Sequence, residues 1–221
     1  MPVLDEEAVL SNTLSALPLP DADDYELIVV DGGSSDLTVR IASAYTEKVL
    51  SGPQGRARQM NLGVKAANGD ILLFLHADCR LSPGALNEVR AILSNKDVVA
   101  GAFDISLDSS CLRYRWISRF ANRRSRLTGI AYGDQGIFLR KKTFEAIGGY
   151  ADIPLMEDID LCQKLKSLGK IYFIELPIYP SPRRFESHGV VSTVIRDGIM
   201  AFSYTVLGAN PAWLARYYRG K

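Results

Sequence analysis

Apolar and polar positions along this chain switch between two periods. Leu27-Ile28-Val29-Val30 and Lys48-Val49-Leu50 are short apolar runs. Ile71-Leu72-Leu73-Phe74-Leu75 is a longer one, bounded by Asn68-Gly69-Asp70 and stopped by His76-Ala77-Asp78. An apolar run without alternation suits a strand covered on both faces. Helical spacing fills the gaps: about Leu37 to Tyr45, with Ser34, Ser35 and Asp36 as N-cap candidates, about Arg56 to Ala67, and about Pro83 to Leu93, with Pro83 near a helix start. This alternation, with short connections, predicts an α/β domain on a parallel, doubly wound sheet.

Beyond residue 97 the order loosens. Val98–Leu107 reads as extended, 112–127 as a basic helix and Gly136-Ile137-Phe138-Leu139 as a strand, and a helix from about Asp158 to Leu168 is closed by Gly169. Gly198–Ala215 is uncharged and long enough to span a bilayer, but Ser203, Gly208, Asn210 and Pro211 interrupt it. The expected outcome is one helix, a break at Gly208-Ala209-Asn210-Pro211 and a second short helix. At the other end, Met1-Pro2-Val3-Leu4-Asp5-Glu6-Glu7 reads as the tail of a strand and the start of a helix. A first strand of two or three residues is shorter than usual, so either the start is trimmed or the sheet tolerates a clipped strand.

Length and charge narrow the classes. A chain of 221 residues suits one catalytic-size domain, expected over 1–187, with a helical extension over 188–221. The formal net charge of +1 gives no global pull toward nucleic acid. Three cysteines, Cys79, Cys111 and Cys162, make no CxxC pair, which argues against a structural zinc or a disulfide framework and for a reducing cytoplasm. No charged n-region with an apolar h-region opens the chain, so no secretory signal is expected.

Three carboxylate islands fall where strands end or helices begin. Asp31-Gly32-Gly33-Ser34-Ser35-Asp36 follows the 27–30 run; glycines admit close backbone approach, and a helix start beyond them favours anions. His76 and Asp78, two residues apart, point to one side of a sheet edge, where open α/β sheets meet their ligands. A ligand site and an ordinary Asp turn both satisfy that pattern. Glu157-Asp158-Ile159-Asp160 opens a helix; the macrodipole favours such acids, yet three carboxylates in four residues repel, which points to a cation or an acid/base role. Together the islands suit a nucleotide diphosphate whose charge a hard divalent cation neutralises, Asp78 holding the metal and Asp158 facing a hydroxyl nucleophile. Arg56, Arg58 and Asn61, and Arg183 and Arg184, are available for the phosphates.

These segments resemble family 2 glycosyltransferases of the GT-A fold. Pro2-Val3-Leu4-Asp5-Glu6-Glu7, Val30-Asp31-Gly32-Gly33-Ser34-Ser35-Asp36, Leu75-His76-Ala77-Asp78 and Glu157-Asp158-Ile159-Asp160-Leu161 stand in the family's order, over about residues 2–186. Gly55-Arg56-Ala57-Arg58-Gln59-Met60-Asn61 and Ser181-Pro182-Arg183-Arg184-Phe185-Glu186 are similar to a bacterial subgroup labelled arsenosugar-biosynthesis-type. The resemblance implies a Rossmann-like, mixed, mainly parallel sheet flanked by helices, a nucleotide-sugar donor (UDP the common case), Mg2+ or Mn2+, and inversion by one displacement onto a hydroxyl acceptor. It implies Asp78 as the metal-binding last acid of the DxD motif, Asp158 as base with Glu157 beside it, Asp31 at the nucleoside pocket and Arg183-Arg184-Phe185 bordering acceptor and diphosphate. His76 replaces the usual first Asp of DxD, and Gly32 replaces a frequent base-reading acid.

Two rivals share these features. A nucleotidyltransferase would carry a Gly-rich basic loop after the first strand, where this chain has Asp5-Glu6-Glu7. A non-catalytic sugar-nucleotide binder would account for the short first strand, Gly32 and His76, but needs no base at Asp158. Separately, Arg113, Arg115, Arg119, Arg123, Arg124 and Arg126 share a segment with Leu112, Trp116, Ile117, Phe120 and Leu127. That spacing suits either a packed helix with a solvated arginine face or, with the 198–219 tail, peripheral contact with an anionic membrane at the inner face of the cell. No nucleic-acid motif accompanies it.

Overall fold

In a computed structural model, residues 1–17, 25–107, 112–183 and 189–218 are described. The first half alternates as its pattern predicts: β1 Pro2–Val3, α1 Glu7–Ser15, β2 Val29–Asp31, α2 Thr38–Ser43, β3 Val49–Ser51, α3 Arg56–Ala66, β4 Ile71–Phe74, β5 Cys79–Leu81 and α4 Ala85–Ser94. The second half runs β6 Val98–Ile105, α5 Leu112–Thr128, a 3-10 turn Gly133–Gln135, β7 Ile137–Arg140, α6 Lys141–Ala146, α7 Glu157–Lys166, β8 Lys170–Pro180, α8 Val190–Thr205 and α9 Pro211–Tyr218. The uncharged C-terminal stretch breaks as expected, at Gly208, which takes a positive φ of 65°. Among the described residues no helix is long and apolar enough to cross a membrane.

The strands form two hydrogen-bonded sets rather than one parallel sheet. β1, β2 and β3 are parallel. The second set has the order β4-β7-β6-β8-β5 and is mixed, with β6 and β8 parallel and the other pairs antiparallel. β8 leaves no clear trace in the sequence because Pro177 and Pro180 read against a strand. The register explains their tolerance: Phe103 pairs Ile174 but Asp104 pairs Pro177, so an irregularity absorbs the intervening residues.

Helices cover both faces of the five-stranded set. On one side α3, α6 and α7 bury Met60, Val64, Phe144, Leu161 and Leu165 against Leu72, Phe74, Ala100 and Leu139. On the other, α4 sets Ala85, Val89 and Leu93 against Val98, Phe103 and Phe138. Gln59, a polar residue inside α3, is buried and ties the helix to the three-stranded set: its Nε2 donates to the carbonyls of Val3 and Val30, each at 2.8 Å. A Cβ on Gly32 would lie 3.1 Å from that amide, so the glycine makes room for the tie.

α5 packs differently from the simpler expectation of an apolar face turned inward. Its buried residues are Tyr114, Ser118 and Ser125, and Asn122 brackets Ile105 with two hydrogen bonds of 2.9 and 3.0 Å. Leu112, Trp116, Phe120 and Leu127 face outward. Helical periodicity defines a stripe but not which side meets the core.

Gly101, central in β6, sits under the Phe138 ring: a Cβ there would lie 2.2 Å from Phe138 Cζ and 2.9 Å from the Tyr172 carbonyl oxygen. Gly101→Ala is expected to cost about 1–3 kcal/mol through overpacking, read as a lower urea midpoint with an unchanged m value.

Candidate active site

The site assembles where β4 stops. The chain passes Leu75, His76 and Ala77, and Asp78 turns it into β5; the Asp78 carbonyl accepts the Ser181 N–H at 2.9 Å, pinning the turn to the end of β8. Arg183, just beyond, reaches back. Its Nη2 lies 2.5 Å from Glu6 Oε2 and 3.4 Å from Asp78 Oδ2. Glu6 holds its place because the 5–7 turn is laced to the loop after β2: Ser34 Oγ accepts Asp5 N–H, Thr38 Oγ1 accepts Glu6 N–H and Asp36 accepts Glu7 N–H. Burial raises the Glu6 pKa, Arg183 draws it down, and the Asp78 and Asp36 charges raise it further.

The second half of the site meets the first across Gly133. The His76 ring lies against this glycine, where a Cβ would stand 2.5 Å from Nε2. The Gly133 N–H donates to Asp158 Oδ2 at 2.8 Å, and Asp158 Oδ1 accepts the Ile159 N–H at 2.8 Å. Burial and then the Arg56 charge lower the His76 pKa to about 4, with Asp78 and Asp158 opposing, so the imidazole is neutral at pH 7. Glu157, only 2% exposed, accepts Arg56 Nε at 2.7 Å through Oε1, while its Oε2 has no hydrogen-bond partner among the described residues. Burial raises the Glu157 pKa, Arg56 lowers it and Asp158 raises it. Met156 caps α7 in the left-handed region at φ 70°, turning Glu157 inward and Asp158 toward Gly133.

Of the residues expected from sequence, Asp78, His76, Arg56, Arg183, Glu157 and Asp158 converge. Three others are occupied elsewhere. Asp31, buried at the end of β2, accepts Gly33 N–H, Ser34 N–H and Ser34 Oγ–H, so its carboxylate organises its own loop. Asn61 spends both ends of its amide on the Tyr150 backbone, at 2.9 and 3.1 Å. Arg58 pairs with Asp152 at 2.6 Å on the exposed surface. Arg184 and His188 lie outside the described residues, as does Cys111; Cys79 and Cys162 are buried free thiols. Glu6 and Gly133 were not singled out by sequence, and only the Asp5-Glu6-Glu7 acid run hinted at the first.

Among the described residues no three His, Cys, Asp or Glu side chains gather into a metal cage. Mg2+ at phosphate sites ordinarily takes one or two carboxylates and fills its shell with phosphate oxygens and water. Asp78 suits that role: among the described residues its Oδ2 meets Arg183 at 3.4 Å and its Oδ1 accepts the Cys79 thiol at 3.5 Å, which leaves lone pairs for a cation. Asp78, with the neutral His76 beside it, therefore fits a divalent ion shared with a diphosphate.

Known proteins resemble this chain in sequence and in fold. It is 34% identical over 162 residues to a PGL/p-HBAD biosynthesis glycosyltransferase of Mycobacterium tuberculosis, covering 68% of this chain and 61% of that protein. It is 29% identical over 154 residues to the undecaprenyl-phosphate 4-deoxy-4-formamido-L-arabinose transferase of Pseudomonas aeruginosa, covering 63% of this chain and 44% of that one. The chain thus spans about three fifths or less of the length of these curated relatives. Among solved structures, glucosyl-3-phosphoglycerate synthase of M. tuberculosis with phosphoglyceric acid superposes with a TM-score of 0.62 at 21% identity, over 88% of this chain and 75% of that one. A mannosyltransferase of Pyrobaculum calidifontis with GDP-Man and Mn2+ gives 0.62 at 21% identity, over 80% and 53%. The fold is that of the GT-A glycosyltransferases. Residues 1–148 match the profile described as Glycosyl transferase family 2, and the chain belongs to that family.

Proposed function

We propose that this protein transfers a sugar from a nucleotide-diphosphate donor to a hydroxyl acceptor, with inversion, using Asp158 as base. The observation that carries this reading is the Gly133 junction, which sets Asp158 on one side of a glycine and His76, two residues from Asp78, on the other. Donor and acceptor ends of a single displacement have to be that close. Asp158 is oriented by two backbone N–H groups and takes the acceptor proton as the new carbon–oxygen bond forms at the anomeric carbon. The bond from that carbon to the nucleotide diphosphate breaks in the same step, and the leaving group departs toward Asp78 and Arg183. Glu157 and Arg56 form the floor beneath.

A Mg2+ or Mn2+ ion held by Asp78, with His76 beside it, would neutralise the departing diphosphate when bound. Relatives solved with UDP-GlcNAc and with GDP-Man and Mn2+ support the donor class and a divalent ion. Arg58 and Asn61 serve the same reading indirectly, by fixing the 149–152 loop that leads into Glu157. Asp31 does so by shaping the loop that holds Glu6. In the same reading, residues 1–187 are the catalytic domain, 188–221 a helical extension on it, and 112–127 with 198–219 the surfaces for peripheral membrane contact.

Asp158→Asn should lower transfer by about 10²–10⁴-fold, the usual worth of a general base, while calorimetry finds donor affinity nearly unchanged. Turnover close to wild type would remove Asp158 from the base role. Asp78→Ala should erase the Mn2+-dependent part of donor affinity, so that dissociation constants with and without Mn2+ converge. A variant that keeps the full Mn2+ effect places the ion elsewhere.

A further inference from the structure

The apolar side chains of α5 stand on the solvent side, Trp116 being 68% and Phe120 62% exposed, with Leu112 and Leu127 beside them. Arg113, Arg115, Arg119 and Arg123 are exposed on the same helix, which has six arginines and no acid between Leu112 and Thr128. α8 repeats the apolar stripe without the charge, its Arg196 lying beside Asp197. Ile195, Ile199, Phe202 and Val206 are exposed at helical spacing, while Thr193, Met200 and Ala201 are buried. α9 adds Trp213 stacked on Tyr217 at 6.1 Å, both exposed. Single exposed apolar residues are ordinary on a protein surface, but stripes of them along a helix mark interaction sites.

Both surfaces are wired to Asp158. From α5, Ser125 Oγ donates to Gln135 Oε1 at 2.8 Å, and Arg124 lies 3.9 Å over the Tyr132 ring; Tyr132 to Gln135 is the turn whose Gly133 N–H holds Asp158. From the other side, α8 and α9 close Met200, Leu214 and Ala215 around Leu155, with Met156, Tyr204 and Tyr218 packed against them. Met156 immediately precedes Glu157-Asp158. The two exposed stripes therefore flank the base.

We propose that α5 and the α8–α9 hairpin seat the protein on an anionic bilayer, and that the accepting hydroxyl is taken from a lipid at headgroup level. This rests on Asp158 as the acceptor-side base. Charge selects the occupant: Arg126 is paired with Asp104, but the exposed Arg113, Arg115, Arg119 and Arg123, on a helix without an acid, call for an anionic surface, and a second copy would set arginines against arginines. Apolar residues interleaved with arginine suit a helix lying in the interface, with tryptophan at the headgroups.

The chain's two tryptophans, Trp116 and Trp213, stand one on each surface and serve as reporters. The full chain is floated with phosphatidylcholine vesicles with and without phosphatidylglycerol, and emission is followed in Trp116→Phe and Trp213→Phe. Flotation with the anionic vesicles at low salt, reversal at high salt and a blue shift in both variants are expected. The double variant Arg115→Gln/Arg123→Gln should weaken partition roughly fivefold per charge removed without changing donor affinity by calorimetry. Labelled sugar from the donor that calorimetry selects should enter the lipid phase of vesicles made from a bacterial lipid extract. No flotation at low salt, equal flotation on neutral vesicles, or a stable dimer that already buries both tryptophans would overturn the membrane seat; label confined to aqueous products would overturn the lipid acceptor. Vesicle binding by a protein with no donor affinity would instead strike down the glycosyl-transfer reading.

Discussion

Two guanidiniums hold four carboxylates together at one end of the strands, and every other feature of the site depends on that balance. Arg183 stands between Glu6 and Asp78, and Arg56 is drawn to Glu157 and Asp158. Burial is the main reason that the Glu6 and Glu157 carboxyls are raised; the guanidiniums draw them down, and the neighbouring carboxylates add a smaller push upward. Glu157 has the most at stake. Its side chain is almost fully buried, with one oxygen unpartnered among the described residues, and a buried charge stripped of its partner costs about 3–5 kcal/mol. The arrangement is poor as a device for stability and suited to chemistry, because a cation or a hydroxyl arriving at the site meets carboxylates already desolvated and aimed.

The interior that supports this edge is organised by residues too small or too polar to look structural. Gln59 spans two strands from a helix interior, Asn61 holds the Tyr150 backbone from the same helix, and Gly133 lets the His76 ring and the Asp158 carboxylate approach from opposite sides. Any side chain at Gly133 would push His76 away from the junction. Position, rather than residue type, gives these side chains their roles.

Position also separates the parts legible in the sequence from those that are not. The 71–75 run, its stop at Asp78, the break at Gly208 and the helix opened by Glu157 each follow from a local rule of period, cap or breaker, and each appears within a few residues of its expected place. β8 is hidden because its prolines obey a tertiary exception, an irregular register beside β6. Gln59 is hidden because a helical glutamine reads as solvated, and the contacts of Asn61 and Arg58 are hidden because their partners lie about ninety residues away. The α5 stripe is visible but its direction is not, since periodicity is blind to which side of a helix meets the core.

The family match ends at residue 148, before Glu157 and Asp158, so the site joins side chains from both sides of that boundary. Glu6, Arg56, His76 and Asp78 come from before it, and Glu157, Asp158 and the Arg183 guanidinium that reaches back to Glu6 and Asp78 come from beyond it. The 3-10 turn at Gly133–Gln135 couples the two halves, for it touches His76 of the first half, accepts Ser125 Oγ–H from α5 through Gln135, and donates to Asp158 of the second half. A displacement of α5 at the surface would therefore reach the base through two hydrogen bonds and one glycine.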